Sequence, residues 1–467
     1  MKNLKLKWSA SALALAVCAL GSTRASAQTT APLLPGNLVV SIYGNTPTAN
    51  NTYLDGTPTP ITLEQFPLTI VAGIDNTTPL LTETLPATGT GTNVGIVGEF
   101  GSSSEGTILV SGNGQYLAIG GYDGNEDENG APKGGYGGSN TALAQSTDAH
   151  VPRTAALINI STGSVTTSTV LNDIYDTNNT RGVYTSDGST VYLSGQGAGA
   201  SDEGGLYLTP VGNNTTTGGS APTPIFNVVS TRTVSEWYLD ASTGTTTTSP
   251  NLYYAADQNS GSKGNQTGLF EYSGTPTSSE GSNTGTRITP ASGTSNGVAV
   301  NFSPEGYFFA NATTLYIADT GSPKAGGTGD GGIQKWSYSS ANHVWTLDYT
   351  LTYNFSTASS ETGFESLAGQ VVNGVVNLYA TSYTTNDDAP DGLYGVADTL
   401  SATTAAQASG EAIVQLAAST PDMDFKGVAI IPPAPPATDT PTLPTWALLL
   451  LGALLILAAA PLLPKKS

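Results

Sequence analysis

Apolar and polar residues alternate in short runs along most of the chain, and Gly, Asn, Asp or Pro closes each run; a period of two predicts strands. An aromatic-bearing strand recurs at Tyr116-Leu117-Ala118, Tyr192-Leu193-Ser194, Tyr253-Tyr254-Ala255, Tyr316-Ile317-Ala318 and Tyr379-Ala380-Thr381. The tyrosine spacings are 76, 61, 63 and 63 residues, and the long first interval holds a glycine-rich insertion around 122–150. A glycine-led strand follows the later copies (Gly205-Leu206-Tyr207, Gly268-Leu269-Phe270, Gly332-Ile333-Gln334, Gly392-Leu393-Tyr394), with Ala156-Leu157-Ile158 as its counterpart in the first. Another strand precedes each copy, opening at Glu105-Gly106, Arg181-Gly182, Arg232-Thr233, Asn296-Gly297, Thr362-Gly363 and Lys426-Gly427. Asn113-Gly114, Asp187-Gly188 and Asn373-Gly374 are the dipeptides that type I′ hairpins require.

A repeat of about sixty residues with three or four short strands has the size of a propeller blade. The sixth opening, Lys426-Gly427-Val428-Ala429-Ile430, is followed only by a proline-rich stretch, whereas Asn37–Tyr43 is a strand with no opening copy before it. Pairing these two ends makes one hybrid blade and removes both exposed edges. The expected fold is therefore all-β, a six-bladed β-propeller within residues 28–432. A seven-bladed ring is the alternative, because residues 61–100 have room for extra strands. In general character the repeats resemble secreted NHL-type β-propellers, as in Leu315-Tyr316-Ile317-Ala318-Asp319-Thr320-Gly321 followed by Gly331-Gly332-Ile333-Gln334-Lys335-Trp336.

The two ends depart from this pattern. Residues 1–27 carry Lys2, Lys5 and Lys7, then an apolar run from Ala10 to Leu20, then Ala25-Ser26-Ala27. That order predicts a secretory signal peptide, and the run is too short for the ~20 residues a membrane helix needs. At the other end, residues 433–445 form a proline-rich linker, and an apolar stretch from Trp446 to Leu463 precedes Lys465-Lys466. A transmembrane helix with a basic tail is expected over 446–467. Pro441, Thr442, Leu443 and Trp446, standing immediately before that span, resemble the IPTL-CTERM protein-sorting domain of bacterial surface proteins. Thr440 stands at the isoleucine position, and lysines replace the usual arginines. The resemblance covers only the C-terminal residues and implies an exported bacterial envelope protein that a sorting protease processes.

Composition narrows the chemistry. The chain of 467 residues has one cysteine, inside the predicted leader, and two histidines. A disulfide scaffold, a Cys-ligated zinc site and a histidine cluster are thereby excluded. Residues 28–439 hold all 35 acids and only nine of the 15 bases, a net charge near −26, which argues against a nucleic-acid partner.

Three of those nine bases fall in the set of strand openings. Glu105, Arg181, Arg232, Asn296, Thr362 and Lys426 are therefore the candidate ligand-binding residues at one channel mouth, where clustered cations would attract an anionic ligand. The competing reading is that the arginines pair with neighbouring acids and brace adjacent blades. Asp123, Asn125, Asp127 and Asn129 alternate oxygen ligands in a glycine-rich loop and suggest a calcium site, although Tyr136 stands where a bidentate Glu is required. No other cofactor is expected. Gly293-Thr294-Ser295-Asn296-Gly297 matches a nucleophile-elbow string without a strand-turn-helix context, and no catalytic residue is assigned. These readings predict a noncatalytic, membrane-anchored surface propeller that binds an anionic extracellular polysaccharide or a surface protein. The alternative is an envelope hydrolase or lyase acting in the channel on an anionic substrate.

Overall fold

A computed structural model describes residues 28–44, 53–70, 78–124, 135–197, 204–227, 230–257, 266–281, 283–290, 293–295, 298–300, 302–321, 331–355, 360–384, 391–420 and 422–433. The predicted signal peptide, most of the linker, the sorting motif and the predicted span lie outside these residues, as do Asn125, Asp127, Asn129 and Asn296. Among the described residues no helix is long and apolar enough to cross a membrane.

The described chain is all-β. A short β1 (Gln28–Thr29) precedes β2 (Asn37–Tyr43), β3 (Pro58–Pro67) and β4 (Leu81–Thr84), and β5 (Ile96–Glu99) follows. Then come four antiparallel meanders: β6 (Ile108–Val110), β7 (Tyr116–Asp123), β8 (Arg153–Asn159) and β9 (Ser164–Leu171); β10 (Thr180–Tyr184), β11 (Thr190–Gly195), β12 (Gly205–Pro210) and β13 (Thr223–Phe226); β14 (Thr231–Asp240), β15 (Thr245–Ala256), β16 (Gly268–Tyr272) and β17 (Thr286–Arg287); and, after the hairpin of β18 (Gly293–Ser295) and β19 (Val298–Val300), β20 (Pro304–Asn311), β21 (Thr314–Asp319), β22 (Gly332–Ser339) and β23 (Val344–Leu351). A fifth meander is β24 (Glu361–Val372), β25 (Val375–Thr384), β26 (Gly392–Thr399) and β27 (Val414–Ala418); β28 (Asp424–Ile430) ends the series.

β28 pairs antiparallel with β2, placing Val40 opposite Val428 and Leu38 opposite Ile430, which is the closure the sequence predicts. The strands in the 61–100 region extend existing sheets: β4 pairs with β3, and β5 bridges β3 to β7. The β28-β2-β3-β4 and β6–β9 meanders are thereby fused into one ten-stranded sheet.

Successive meanders pack face to face, as the alternating pattern requires. Leu193 and Tyr207 of one meander meet Leu157 and Leu171 of the one before. Tyr192 and Leu206 meet Leu252 and Tyr254 of the next, and Tyr253 meets Tyr307, Leu315 and Trp336. Tyr316 meets Phe364 and Leu378, Tyr379 and Leu416 meet Val40 and Phe425, and Val39 and Ile61 meet Leu117 and Ile119. The last meander thus packs on the first, and the sheets form a β-propeller arrangement. Burying each large apolar side chain at these seams contributes about 1.5–3 kcal/mol.

The first strands of the meanders touch one another in sequence: β6 packs on β10, β10 on β14, β14 on β20, β20 on β24, β24 on β28, and β28 on β6. Hydroxyls on second strands seal the seams. Ser194 Oγ donates to the Arg232 carbonyl and accepts from Gly182 N at 3.0 Å. Thr381 Oγ1 donates to the Lys426 carbonyl, and Ser41 Oγ accepts from Gly427 N at 2.7 Å.

Candidate functional site

Side chains in a regular strand alternate, so aiming a charged residue at the axis without losing the buried neighbours requires a local irregularity. β-Bulges supply it. The pairing register slips between Thr180 and Gly182 at Arg181, between Thr231 and Val234 at Arg232, and between Pro304 and Tyr307 at Glu305. It slips again between Phe364 and Ser366 at Glu365, and opposite Val40–Ile42 at Lys426. With Glu105, which lies just ahead of β6 and immediately precedes Gly106, these residues form a set at the starts of neighbouring first strands. Gly106 is required there: at φ +79°, an added Cβ would stand 2.5 Å from the Lys426 Cβ.

Glu305 and Glu365, which the sequence did not single out, stand at two of these slips, and Thr362 stands at a further one, between Glu361 and Gly363. Asn296 lies outside the described residues, and buried Thr362 spends its hydroxyl on the Thr320 carbonyl at 2.9 Å. The set therefore contains three acids and three bases rather than a surplus of cations.

All six residues are buried. Arg232 Nη1 lies 3.1 Å from Glu305 Oε1, and Nη2 lies 3.7 Å from Asp257 Oδ2, joining the β14 and β20 meanders. Arg181 reaches in both directions: Nε donates to Ser104 Oγ at 3.1 Å, Nη1 to Ser230 Oγ at 2.5 Å, and Nη2 to Gln196 Oε1 at 2.6 Å. Burial, reinforced by the neighbouring Arg232 guanidinium, pushes the Arg181 pKa down. Glu105 accepts from the Tyr122 hydroxyl and from Asn179 Nδ2 at 2.7 Å. Burial raises its pKa, and those donors partly oppose the rise. Lys426 Nζ lies 3.6 Å from Asp424 Oδ2.

Glu365 differs from the others. Its side chain is buried, yet Oε1 has no hydrogen-bond partner. Burial holds its carboxyl well above the usual range, against the pull of Lys426, while the Glu305 and Asp391 charges add to the rise. Asp391 is raised likewise by burial and by Asp424. Arg232 Nε is a second buried polar atom without a partner.

The axis changes character past the bulges. The later residues of the same first strands line a cavity of about 310 Å³, walled by Leu109, Val110, Trp237, Phe308, Ala368 and Ile430 among others. Trp237 meets Phe308 edge-on, with ring centroids 5.7 Å apart, and its Nε1 donates to Ser235 Oγ at 2.9 Å. Glu236 is the carboxylate in this wall. This cavity was missed in the sequence because its lining is gathered from six strands spread over residues 107–430.

Asp123 ends β7, where its backbone N donates to the Pro152 carbonyl at 2.9 Å. Among the described residues no group of three or more His, Cys, Asp or Glu side chains is placed to hold a metal. One extensively bonded cation is a residue the sequence did not single out. Arg153 is fully buried, donates to the carbonyls of Val151, Ser146, Tyr175 and Asn178 at 2.6–3.0 Å, and stands 5.2 Å over the Tyr122 ring.

No family model matches the chain, and no curated protein matches it. Solved structures do. A GH74 enzyme from Niastella koreensis aligns at 13% identity and a TM-score of 0.36, over 83% of this chain and 47% of its own. The chain thus spans about half the length of that enzyme. The periplasmic gluconolactonase PpgL of Pseudomonas aeruginosa aligns at 11% identity and a TM-score of 0.35, covering 82% of this chain and 83% of its own. TolB from Acinetobacter baumannii aligns at 10% and 0.34, covering 85% and 67%. At these identities the activity has to be argued from this chain's own residues.

Proposed function

We propose that the chain is a six-bladed, exported propeller that acts as a noncatalytic binding scaffold at the bacterial surface. The reading takes residues 1–27 as its leader and 446–467 as its anchor, with Pro441, Thr442, Leu443 and Trp446 as the sorting motif that a membrane protease reads. The cyclic packing of six first strands supports the blade number. The observation that carries the scaffold reading is the pairing of Arg181, Arg232 and Lys426 with partners on their own and adjacent meanders, which makes the charged ring a brace. Ligand recognition is then assigned to surfaces beyond the brace, toward a surface polymer or protein.

One observation favours a second reading. A buried carboxyl with a raised pKa and an unpartnered oxygen, as at Glu365, is the kind of group that serves as a general acid. In an envelope hydrolase or lyase, Glu365 would donate the proton to a leaving oxygen.

Protease treatment of intact cells, with the triple variant Arg181→Ala, Arg232→Ala, Lys426→Ala alongside the parent chain, tests the proposal. A surface scaffold is released from intact cells, and the triple variant melts at lower temperature while keeping its partner. Retention inside shaved cells would sink the surface assignment. Turnover of an envelope polymer that is abolished by Glu365→Gln would replace the scaffold by the hydrolase.

A further inference from the structure

The axial cavity carries a more specific assignment, which rests on reading the chain as a binding propeller. Its wall combines three features that are rarely brought together by packing alone. The first is room: about 310 Å³, at the small end of the range for small-molecule pockets of about 300–1,000 Å³. The second is an apolar and aromatic lining in which Trp237 and Phe308 pack on the seam cores behind them yet stay only partly buried.

The third feature is an acid without a base. Glu236 is half-buried between Trp237 and Ser235, and Oε1 accepts from Ser186 Oγ at 2.7 Å. Burial raises its pKa, Ser186 opposes that rise, and the nearby Asp187 carboxylate adds to it. Among the described residues no Lys or Arg forms an ion pair with Glu236, and none lines the cavity. Glu236 and Trp237 line the same cavity from different sides of β14, and an uncompensated carboxylate in an apolar, aromatic wall recognises an organic cation by its charge while the rings receive its body. The excess of acids in the chain would steer such a cation toward the mouth.

We infer that the axial cavity binds a hydrophobic amine, a small molecule with one ammonium group on an aromatic or alkyl body, with Glu236 holding the ammonium and Trp237 with Phe308 holding the body. An anionic ligand is disfavoured by the same residues.

Calorimetric titration of the full chain with phenethylammonium, 2-phenylethanol and phenylacetate, which share a ring and differ in charge, tests the inference. The amine is expected to bind at least about tenfold more tightly than the alcohol, and phenylacetate not at all. Glu236→Gln should bring the amine down to the affinity of the alcohol without lowering the melting temperature, and Trp237→Leu should weaken both. Equal binding of the three probes, absence of binding by all three, or an unchanged amine affinity in Glu236→Gln would overturn the assignment. The scaffold reading fails separately: amine-selective binding in a chain that also shows Glu365-dependent turnover would leave this site standing and remove the noncatalytic reading.

Discussion

Arg232 and Glu305 carry an ion pair that ties two neighbouring meanders, and both are nearly closed to solvent. Removing one partner of such a pair leaves a buried charge uncompensated. Arg232→Met is expected to cost about 3–5 kcal/mol in urea denaturation, and adding Glu305→Leu should recover part of that loss. Glu365 has the opposite sense. Its folded pKa is raised, so between its ordinary range and that raised value the native state holds more protons than the unfolded one. Stability should therefore fall as pH rises above the normal glutamate range, and Glu365→Gln should raise the melting temperature at pH 7 and flatten that slope. Asp398 runs the other way. Burial disfavours its charge, but hydrogen bonds from Glu411, Lys335, Tyr316 and Tyr349 outweigh burial and lower the pKa. The Lys335–Asp398 bridge of 2.7 Å stabilises above the unfolded aspartate pKa and is lost as pH falls through the lowered one. Acid melts of Asp398→Asn should consequently lack the steepest part of the parent's low-pH decline.

At the level of strands and turns, much was legible. Asn373-Gly374 joins β24 to β25 with both residues at positive φ, 52° and 82°, as a type I′ turn demands. A Cβ at Gly374 would meet nothing within 4 Å, so Gly374→Ala isolates the backbone cost. About 1–2 kcal/mol of destabilisation is expected, measured by chemical denaturation. The tyrosine strands were legible for a similar reason: a large aromatic residue every sixty or so positions is a packing requirement written locally. The bulges were not, because a bulge depends on the register of a partner strand and leaves no fixed residue type behind. A weaker signal did exist. Glu105, Arg181 and Glu305 each stand eleven residues before a repeat tyrosine, at Tyr116, Tyr192 and Tyr316, whereas Asn296 stands twenty before. The offset lengthens at Arg232, because β14 and β15 form a long hairpin, and that irregularity hid the common register. Arg153 was illegible for another reason: its partners are backbone carbonyls, which any sequence provides.

The whole molecule is held closed by residues from opposite ends of the chain. Truncation after residue 423 removes β28, exposing the edge of β2 and taking Lys426 out of the ring. Such a chain is expected to lose its cooperative melt and to self-associate on size-exclusion chromatography, with monomeric behaviour restored by a peptide spanning residues 422–433. A truncated chain that melts as sharply as the parent would show that the ring does not depend on this seam.

The contact between Gly427 N and Ser41 Oγ joins residues 386 positions apart, and it sets the timetable of folding for any chain that emerges N-terminus first. Meanders can form as they appear, but β2 must wait for its inner neighbour until nearly the whole propeller has been delivered. Contacts of such long range are slow to make, and during the wait the early strands present an open edge to whatever surrounds them. The same delay works in reverse once the seam has formed: neither β2 nor β28 can peel away without first breaking the last bonds to be made, so this seam resists opening from either strand.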